Sequence, residues 1–286
     1  MRAGTDVGQA DRMSTEVERR DLEVDGNRLS YLHAGGPGLP PTIFLHGTFW
    51  SRVWQPVLPA LNEVSECIAL DLPGFGDSDG ELTPDEATVP AMAATVLRAA
   101  DVLGIDRFTV VGHDIGGGIA QHLAVHAADR VGALGLVNGV LLDSWPVPAV
   151  ERFRDPDVRA ATGPDELLEA RRASMSKAVA RTLSQEEIED YLAPWHSPAR
   201  VRSWTAMAAA ADARFTLDLV DGLVARALPT LLVWGEDDEF QRLEYAQRYV
   251  EQVPNARLER VPGRHIPTED STEQVARLLA DFVGQR

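Results

Sequence analysis

Short apolar runs alternate with helix-like segments along most of this chain. Thr42–Leu45, Phe108–Val111 and Leu228–Trp234 resemble strands, and Val89–Leu103 carries apolar residues at helical spacing. Parallel strands need a crossover connection, usually a helix, so this alternation predicts an α/β fold whose mostly parallel, twisted sheet is covered by helices. The other predicted strands are Leu22–Val24 and Leu29–His33, which form a hairpin, with Glu66–Leu70, Val131–Val137 and Leu258–Val261. The other predicted helices are Ile115–His126, Leu243–Val253 and Thr268–Phe282.

The pattern changes between Leu141 and Ala227. Strand-like runs stop, and segments rich in Ala, Arg and Glu are interrupted by prolines at positions 146, 148, 156, 164, 194 and 198. We therefore predict a helical cap at residues 141–227, inserted into an α/β core formed by residues 21–140 and 228–286. Residues 1–20 are polar and charged, without the apolar stretch of a signal peptide, and are predicted to form a disordered lead-in.

The charge balance argues against some partners. The chain has 27 Lys and Arg against 44 Asp and Glu, a formal net charge of −17. Such a surface repels phosphate backbones and anionic lipid headgroups, so neither nucleic acid nor a membrane is expected as a partner. Cys67, the only cysteine, lies in a predicted buried strand and cannot form an intrachain disulfide. A cytoplasmic location is therefore expected, and a homodimer is left open.

A glycine-rich turn follows the apolar strand that ends near Val111. It has the sequence GHDIGG, residues 112–117, with Asp114 near its centre, and it opens a predicted helix. Glycines on both sides of the central residue permit a tight strand-to-helix turn that exposes one side chain at the edge of the sheet. The N-terminus of the following helix directs backbone N–H groups at the same place. This is the pattern of a nucleophile elbow, G-x-S-x-G, with aspartate where serine would stand.

Three further segments accompany the elbow in a consistent order. His46-Gly47 follows the first parallel strand, the sequence LVWGEDD ends at Asp238, and the sequence PGRH ends at His265 before the last helix. With these segments, the chain from about Leu22 to Phe282, excluding most of the cap, is similar to the α/β-hydrolase superfamily in its aspartate-nucleophile branch. That branch includes epoxide hydrolases and haloalkane dehalogenases.

The resemblance implies a role for each motif residue. Asp114 would be a covalent nucleophile, His265 the base, and Asp238 the acid that orients it. Backbone N–H groups of Thr48 and Ile115 would form the oxyanion hole. No metal or organic cofactor is implied, and no Cys, His and carboxylate cluster stands at metal-ligand spacing.

Several neighbouring residues compete for these roles. Asp237 is the rival triad acid, because a slip of one residue would exchange it with Asp238. Asn138 ends a strand where some dehalogenases place their acid, but an amide cannot serve, and Asp143 is a remote alternative. His46 and His113 are interpreted as structural.

An aspartate nucleophile points to attack on saturated carbon. A serine would form an ether there, which water does not readily cleave, whereas a carboxylate forms an ester that water can hydrolyse. The expected reaction has two steps: Asp114 displaces an oxygen or halide to form an alkyl-enzyme ester, and water activated by His265 then hydrolyses that ester.

The cap is expected to stabilise the leaving group. Epoxide hydrolases of this branch use cap tyrosines, and Tyr191 is the candidate here, although no second cap tyrosine matches. The ring N–H groups of Trp195, His196 and Trp204 are alternative donors. These residues favour an epoxide hydrolase that gives a vicinal diol.

A haloalkane dehalogenase is the second hypothesis. Dehalogenases usually place tryptophan after the nucleophile, where this chain has Ile115, and Thr48 after His46-Gly47 is a further departure. Arginines that bind substrate carboxylate in fluoroacetate-type enzymes are replaced by Gly116–Gly118, which disfavours a small anionic acid. A third hypothesis is a ligand-binding or non-hydrolytic biosynthetic member of the fold, which an intact triad disfavours.

Aromatic residues follow the oxyanion loop. Phe49, Trp50 and Trp54 are expected to line the pocket, which suggests a small apolar or aromatic substrate.

Overall fold

The computed structural model describes residues 17–285. Its strands are β1 Glu18–Val24, β2 Asn27–Ala34, β3 Pro41–Leu45, β4 Glu66–Leu70, β5 Phe108–Asp114, β6 Val131–Gly139, β7 Thr230–Gly235 and β8 Ala256–Val261. They form one eight-stranded sheet in the order β1-β2-β4-β3-β5-β6-β7-β8. β2 pairs antiparallel with β1 and β4, and every other neighbouring pair is parallel. The predicted mostly parallel α/β sheet is confirmed.

The first strand begins earlier than the sequence predicted. β1 starts at Glu18, so residues 18–20 belong to the sheet and not to a disordered lead-in. Arg19 contributes to this order, because its guanidinium donates to Ser30 Oγ at 3.0 Å and to the buried Asp71 carboxylate at 2.9 Å. Residues 1–16, the rest of the predicted lead-in, lie outside the described residues.

Helices cover both faces of the sheet and fill the segment between β6 and β7. They are α1 Val89–Val102, α2 Ile115–His126, α3 Pro148–Glu151, α4 Pro156–Ala161, α5 Pro164–Ala178, α6 Gln185–Leu192, α7 Pro198–Ala209, α8 Arg214–Leu217, α9 Val220–Arg226, α10 Leu243–Gln252, α11 Pro267–Asp270 and α12 Thr272–Val283. The predicted closing helix is thus two helices. Ser271 separates them with a non-helical backbone, φ −131° and ψ 46°, and its hydroxyl donates to the Pro262 carbonyl at 2.6 Å.

Prolines begin helices in the cap rather than interrupt them. Pro148, Pro156, Pro164 and Pro198 are the first residues of α3, α4, α5 and α7. The N–H of that position has no acceptor within the helix, so a proline there loses no hydrogen bond and its fixed φ suits the helix. Four of the seven helices α3 to α9 therefore begin at positions visible in the sequence.

The central strands are buried on both faces. β5 and β7 are buried along their whole length, as expected for parallel strands covered by helices on each side. Successive residues enter opposite cores: Val110 packs in the cluster that contains α1 and α2, and Val111 in the cluster that contains α12. Cys67 in β4 is also buried, and this burial raises the pKa of its thiol to about 12. The loops after β3, β5, β7 and β8 leave the same edge of the sheet.

Candidate active site

Asp114 occupies a strained turn between β5 and α2. Its backbone has φ 52° and ψ −126°, a conformation that residues with a side chain rarely adopt. Glycines make the turn possible. A Cβ atom on Gly112 would overlap Gly116 of the helix, and one on Gly116 would overlap the Leu45 carbonyl of β3. The backbone therefore has the geometry of an elbow that presents the Asp114 carboxylate at the sheet edge.

Two backbone N–H groups lie beside this carboxylate. The Thr48 N–H donates to Asp114 Oδ2 at 2.9 Å. Ile115 is the first residue of α2, so its N–H has no acceptor within the helix. The Ile115 N–H and the Asp114 side chain both lie close to Gly47, since a Cβ atom there would lie 2.6 Å from the Ile115 nitrogen and would overlap Asp114. The two N–H groups could stabilise negative charge on the Asp114 carboxyl group.

His265 lies between two buried carboxylates. Its Nδ1 is 2.9 Å from Asp238 Oδ2, and its Nε2 is 3.9 Å from Asp114 Oδ2. Because a carboxylate only accepts, Nδ1 carries the proton shared with Asp238. Asp237 is exposed and Asp143 forms a surface ion pair. The structure therefore brings Asp238, rather than either alternative, to the imidazole.

Asn138 holds the Asp238 carboxylate in place. Its Nδ2 donates to Asp238 Oδ2 at 2.6 Å, while its Oδ1 accepts from the Gly235 N–H at 2.9 Å. The Phe240 N–H donates to the other carboxylate oxygen at 2.7 Å. The sequence excluded Asn138 as an acid but missed it as a positioning residue. Its place at the end of β6, beside the acid on the β7 loop, was the available signal.

The charges of Asp114, His265 and Asp238 depend on one another. Burial alone would raise the pKa of Asp114, but the proximity of His265, with His113 and a backbone N–H, lowers it below its ordinary value. Burial alone would lower the pKa of His265, but Asp238 and Asp114 outweigh it and raise that pKa to about 10. At neutral pH the free site therefore holds an imidazolium between two carboxylates.

Two other buried histidines support the loops of the site. His46 Nε2 accepts from the Leu72 N–H at 2.9 Å, which leaves Nδ1 to donate to the Gly47 carbonyl at 2.9 Å. His113 Nε2 lies 2.8 Å from the His265 carbonyl, to which it donates. Burial lowers the pKa of both residues, to about 4 for His113, so both are neutral. These contacts agree with a structural role.

A cavity of about 180 Å³ joins the triad to the cap. We call its core side the floor, formed by Thr48, Phe49, Asp114 and His265, and its cap side the roof, formed by Trp145, Val147, Ala149, Val150, Arg171, Ser174 and Trp204. Phe240 and Gln241 complete the lining. A mostly apolar wall with a few polar groups is typical of a small-molecule site, and this volume suits a small substrate. Phe49 and Trp204 are the predicted substrate-binding residues that line this cavity.

Arg171 is the most unusual residue of the roof, and sequence reasoning missed it. It is 9% exposed, and burial lowers the pKa of its guanidinium to about 10 although Asp114 opposes that shift. The buried residues of α5 are Leu167, Arg171, Met175 and Ala178. This spacing places the arginine on the apolar face of the helix, which was the signal in the sequence.

Tyr191 does not reach the cavity, so its prediction as the leaving-group donor is corrected. Its hydroxyl donates to Glu269 Oε1 at 2.8 Å, and the same oxygen accepts from Arg52 at 2.9 Å. The ring is fully buried against Phe49. Glu269 comes from α11 of the core, so this contact could not be inferred from the cap sequence alone.

Four other predicted pocket residues also lie outside the cavity lining. Trp50 donates its ring N–H to the Tyr191 carbonyl at 3.3 Å. Trp54 and Trp195 are buried in the hydrophobic cores, and His196 is exposed at the surface. Trp195 nevertheless contacts the roof from behind, because the Arg171 guanidinium lies 5.2 Å from the centre of its ring.

The described part of the chain was also searched for metal-binding and membrane-spanning features. Residues 17–285 contain no group of three or more His, Cys, Asp or Glu side chains placed to hold a metal ion. No helix in the same range combines the length and apolar character needed to cross a bilayer.

Known proteins resemble this chain in sequence. The family described as alpha/beta hydrolase fold matches residues 32–272. A soluble epoxide hydrolase of Corynebacterium sp. is 37% identical over 145 residues, which covers 48% of this chain and 48% of that protein. The match thus spans about half the length of that relative. A haloalkane dehalogenase of Bradyrhizobium diazoefficiens is 27% identical over 301 residues, which covers 94% of this chain and 95% of that protein.

Solved structures share the architecture. The haloalkane dehalogenase DbeA from Bradyrhizobium elkani superimposes with a TM-score of 0.79 at 24% identity, covering 94% of this chain and 98% of that chain. An alpha/beta hydrolase fold protein from Burkholderia ambifaria gives a TM-score of 0.78 at 26% identity, covering 92% and 97%. These similarities extend over the cap as well as the sheet.

Proposed function

The chain belongs to the alpha/beta hydrolase fold family, and from this premise we propose that it hydrolyses small molecules at a saturated carbon through an ester on Asp114. The observation that carries the proposal is the arrangement of one carboxylate, one imidazole and one cavity. Asp114 and His265 both line the cavity, and His265 Nε2 is 3.9 Å from Asp114 Oδ2. The low pKa of Asp114 keeps the nucleophile ionised at neutral pH.

In the first step, Asp114 attacks carbon. The Thr48 N–H holds Oδ2, so Oδ1 is the oxygen free to form the new C–O bond. The bond from carbon to the leaving oxygen or halide breaks, and its electron pair stays with the leaving atom. The Asp114 carboxyl group becomes a neutral ester.

In the second step, His265 acts as the base. Esterification removes the Asp114 charge that helps to raise the pKa of His265, so the imidazolium becomes more acidic. Its proton passes to the leaving alkoxide of an epoxide, or to solvent when halide leaves. The neutral imidazole then deprotonates water, which attacks the ester carbonyl. The resulting oxyanion would be stabilised by the Thr48 and Ile115 N–H groups, and its collapse releases the alcohol and regenerates Asp114.

Epoxide opening is the first candidate reaction, and the similarity to an epoxide hydrolase of Corynebacterium supports it. The raised pKa of His265 also supports it, because the imidazolium can supply the proton that the opened epoxide needs. Haloalkane dehalogenation is the second candidate. The match to a dehalogenase along nearly the whole chain favours it.

Trapping the ester tests the proposal. A His265→Gln variant keeps Asp114 but lacks the base of the second step, so it should hydrolyse the ester slowly. A panel of small bromoalkanes, whose bromide leaves without needing the proton of His265, should therefore add mass to the peptide that holds Asp114. Mass spectrometry of the digested variant reads the adduct. Asp114→Ala in the same background is the control, and it should carry no adduct.

The result that would contradict the proposal is turnover of a bromoalkane by the native protein without any adduct in the His265→Gln variant. Ligand binding without turnover, unchanged in Asp114→Ala, would instead favour a binding protein that keeps the fold.

A further inference from the structure

Arg171 carries a buried charge that interacts electrostatically with Asp114 but forms no ion pair within residues 17–285. Within residues 17–285, no carboxylate or carbonyl group bonds to its guanidinium. Two other arginines near the boundary of cap and core are paired: Arg52 donates to Glu269 at 2.9 Å, and Arg181 donates to the same carboxylate at 3.1 Å. Leaving a buried cation unpaired is costly. Because Arg171 lacks the carboxylate partner that Arg52 and Arg181 have, we expect a ligand to supply the anion.

Aromatic rings support the guanidinium without satisfying its N–H groups. The guanidinium carbon lies 4.4 Å from the ring centre of Trp204, 5.2 Å from that of Trp195 and 5.5 Å from that of Phe49. Such cation–π contacts offset part of the desolvation of the charge. They use the faces of the rings and provide no acceptor for the five N–H bonds of the guanidinium.

A second buried donor without a partner belongs to a residue that lines the same cavity. Trp204 Nε1 is buried and has no hydrogen-bond partner among the described residues. Arg171 and Trp204 both belong to the roof, on α5 and α7, while Asp114 belongs to the floor. The cavity therefore has Asp114 on one side and, on the cap side, two residues whose donor groups lack a hydrogen-bond partner among the described residues.

We infer that Arg171, packed on the ring of Trp204, forms an anion-binding subsite in the roof of the cavity. The cation and the unpaired donors match the chemistry of a carboxylate, a halide or an alkoxide oxygen. The subsite also changes the expected substrate. The glycines after Asp114 argued against a carboxylate site, but the cap supplies an arginine that those positions lack.

Two sources could provide the anion. It could be a carboxylate carried by the substrate, held while Asp114 attacks a carbon farther along the molecule. It could equally be the atom displaced from carbon, because displacement transfers the negative charge of Asp114 to an atom on the opposite side of that carbon. The choice between these sources rests on the proposed function, whereas the existence of the subsite does not.

Anion binding can be measured without turnover. Bromide and acetate are titrated separately into the native protein at neutral pH, and tryptophan fluorescence is recorded because the guanidinium contacts two tryptophans. A saturable change is expected for at least one anion. In Arg171→Met that binding should weaken roughly 10- to 100-fold, the usual effect of losing a charge-assisted hydrogen bond.

Arg172→Met is the matched control. Arg172 neighbours Arg171 on α5, but it is exposed and pairs with Glu189 at 2.9 Å. This variant should bind anions as the native protein does. Arg171→Met should also unfold at a melting temperature equal to or a few degrees above that of the native protein, roughly as expected when an unpaired buried charge is removed. Unfolding of this variant therefore does not obscure the result.

A substrate series distinguishes the sources. A neutral bromoalkane and a bromoalkanoate of the same length are compared, and then the chloro, bromo and iodo forms of the better one. If Arg171→Met lowers kcat/KM for the bromoalkanoate only, the anion is a substrate carboxylate. If the variant lowers kcat/KM for both substrates, and the decrease is larger for the chloro form than for the iodo form, the anion is the displaced halide.

The inference is overturned if Arg171→Met binds both anions as the native protein does, or if neither anion produces a saturable change. Absence of turnover with the whole series would count against haloalkane dehalogenation as the proposed function, while the titrations would still decide whether the subsite exists.

Discussion

The charged groups on the floor of the cavity are hydrogen-bonded to other residues, whereas the charged group on the roof is not. On the floor, Asp114 accepts from the Thr48 N–H, and His265 is bonded to Asp238. On the roof, the Arg171 guanidinium and the Trp204 ring N–H have no hydrogen-bond partner within residues 17–285. Groups that are already paired are held in one geometry, which suits residues that act on a bond. Unpaired donors are available for a ligand, which suits residues that choose a substrate.

The floor and the roof are also carried by different kinds of secondary structure. Floor residues follow parallel strands whose carboxyl ends meet at one edge, so the sheet fixes their separation. Roof residues lie on helices α5 and α7, whose position depends on how the cap packs. Substitutions on the floor should therefore change rates, and substitutions at the contacts behind the roof should mainly change stability.

The largest effect is expected at the triad acid. Asp238→Asn removes the charge that orients and stabilises the imidazolium, and should lower kcat on the order of 10³–10⁴-fold. The adjacent, exposed Asp237→Asn should leave kcat unchanged. Steady-state kinetics of both variants check this, and equal losses would show that the floor is not organised around Asp238.

A smaller loss is expected at Asn138. Asn138→Ala removes the 2.6 Å hydrogen bond to Asp238 Oδ2 and leaves Asp238 with its bond from the Phe240 N–H. Losing one hydrogen bond to a charged group should lower kcat about 10- to 100-fold, with less change in KM. A change in KM alone would place Asn138 in substrate binding instead.

The turn at Asp114 and the placement of Asp114, Asp238 and His265 close together could be predicted from the sequence because their requirements are local. Gly112 and Gly116 must be small for the turn at Asp114, and each triad residue follows a strand at a fixed distance along the chain. The roof could not be predicted in the same way. Tyr191 has the right chemistry for a donor, but its partner Glu269 is 78 residues away along the chain. Arg171 was visible only as a charge on the apolar face of a helix.

The interaction of His265 with Asp238 and Asp114 should also make the free energy of unfolding depend on pH. Its folded pKa is raised to about 10 from an ordinary value of 6.5. The folded state then binds one more proton than the unfolded state between these values, so the stabilisation is complete below about pH 6.5 and is lost as pH rises toward 10. The free energy of unfolding should fall by roughly 1 kcal/mol per pH unit in this range.

Denaturant unfolding at several pH values measures this slope. His265→Gln has no titrating imidazole at this position, so its slope should be shallower than that of the native protein. Parallel slopes would show that the imidazole is not held as a cation between Asp238 and Asp114.

The smallest catalytic effect is expected at Tyr191. Tyr191→Phe removes the hydroxyl that donates to Glu269, outside the cavity, so kcat/KM should stay within about threefold of the native value. Stability should fall by about 1.5–3 kcal/mol, because the bond is made to a charged group. A loss of kcat without a loss of stability would restore Tyr191 as a leaving-group donor.

Isotope incorporation in a single turnover tests the covalent role of Asp114 most directly. Native protein in excess over an epoxide or haloalkane is allowed one turnover in ¹⁸O water, and both the product and the peptide containing Asp114 are analysed by mass spectrometry. The account predicts that the new product oxygen comes unlabelled from the Asp114 carboxylate and that the peptide gains ¹⁸O. Label wholly in the first-turnover product, with none in the peptide, would mean that water attacks the substrate directly.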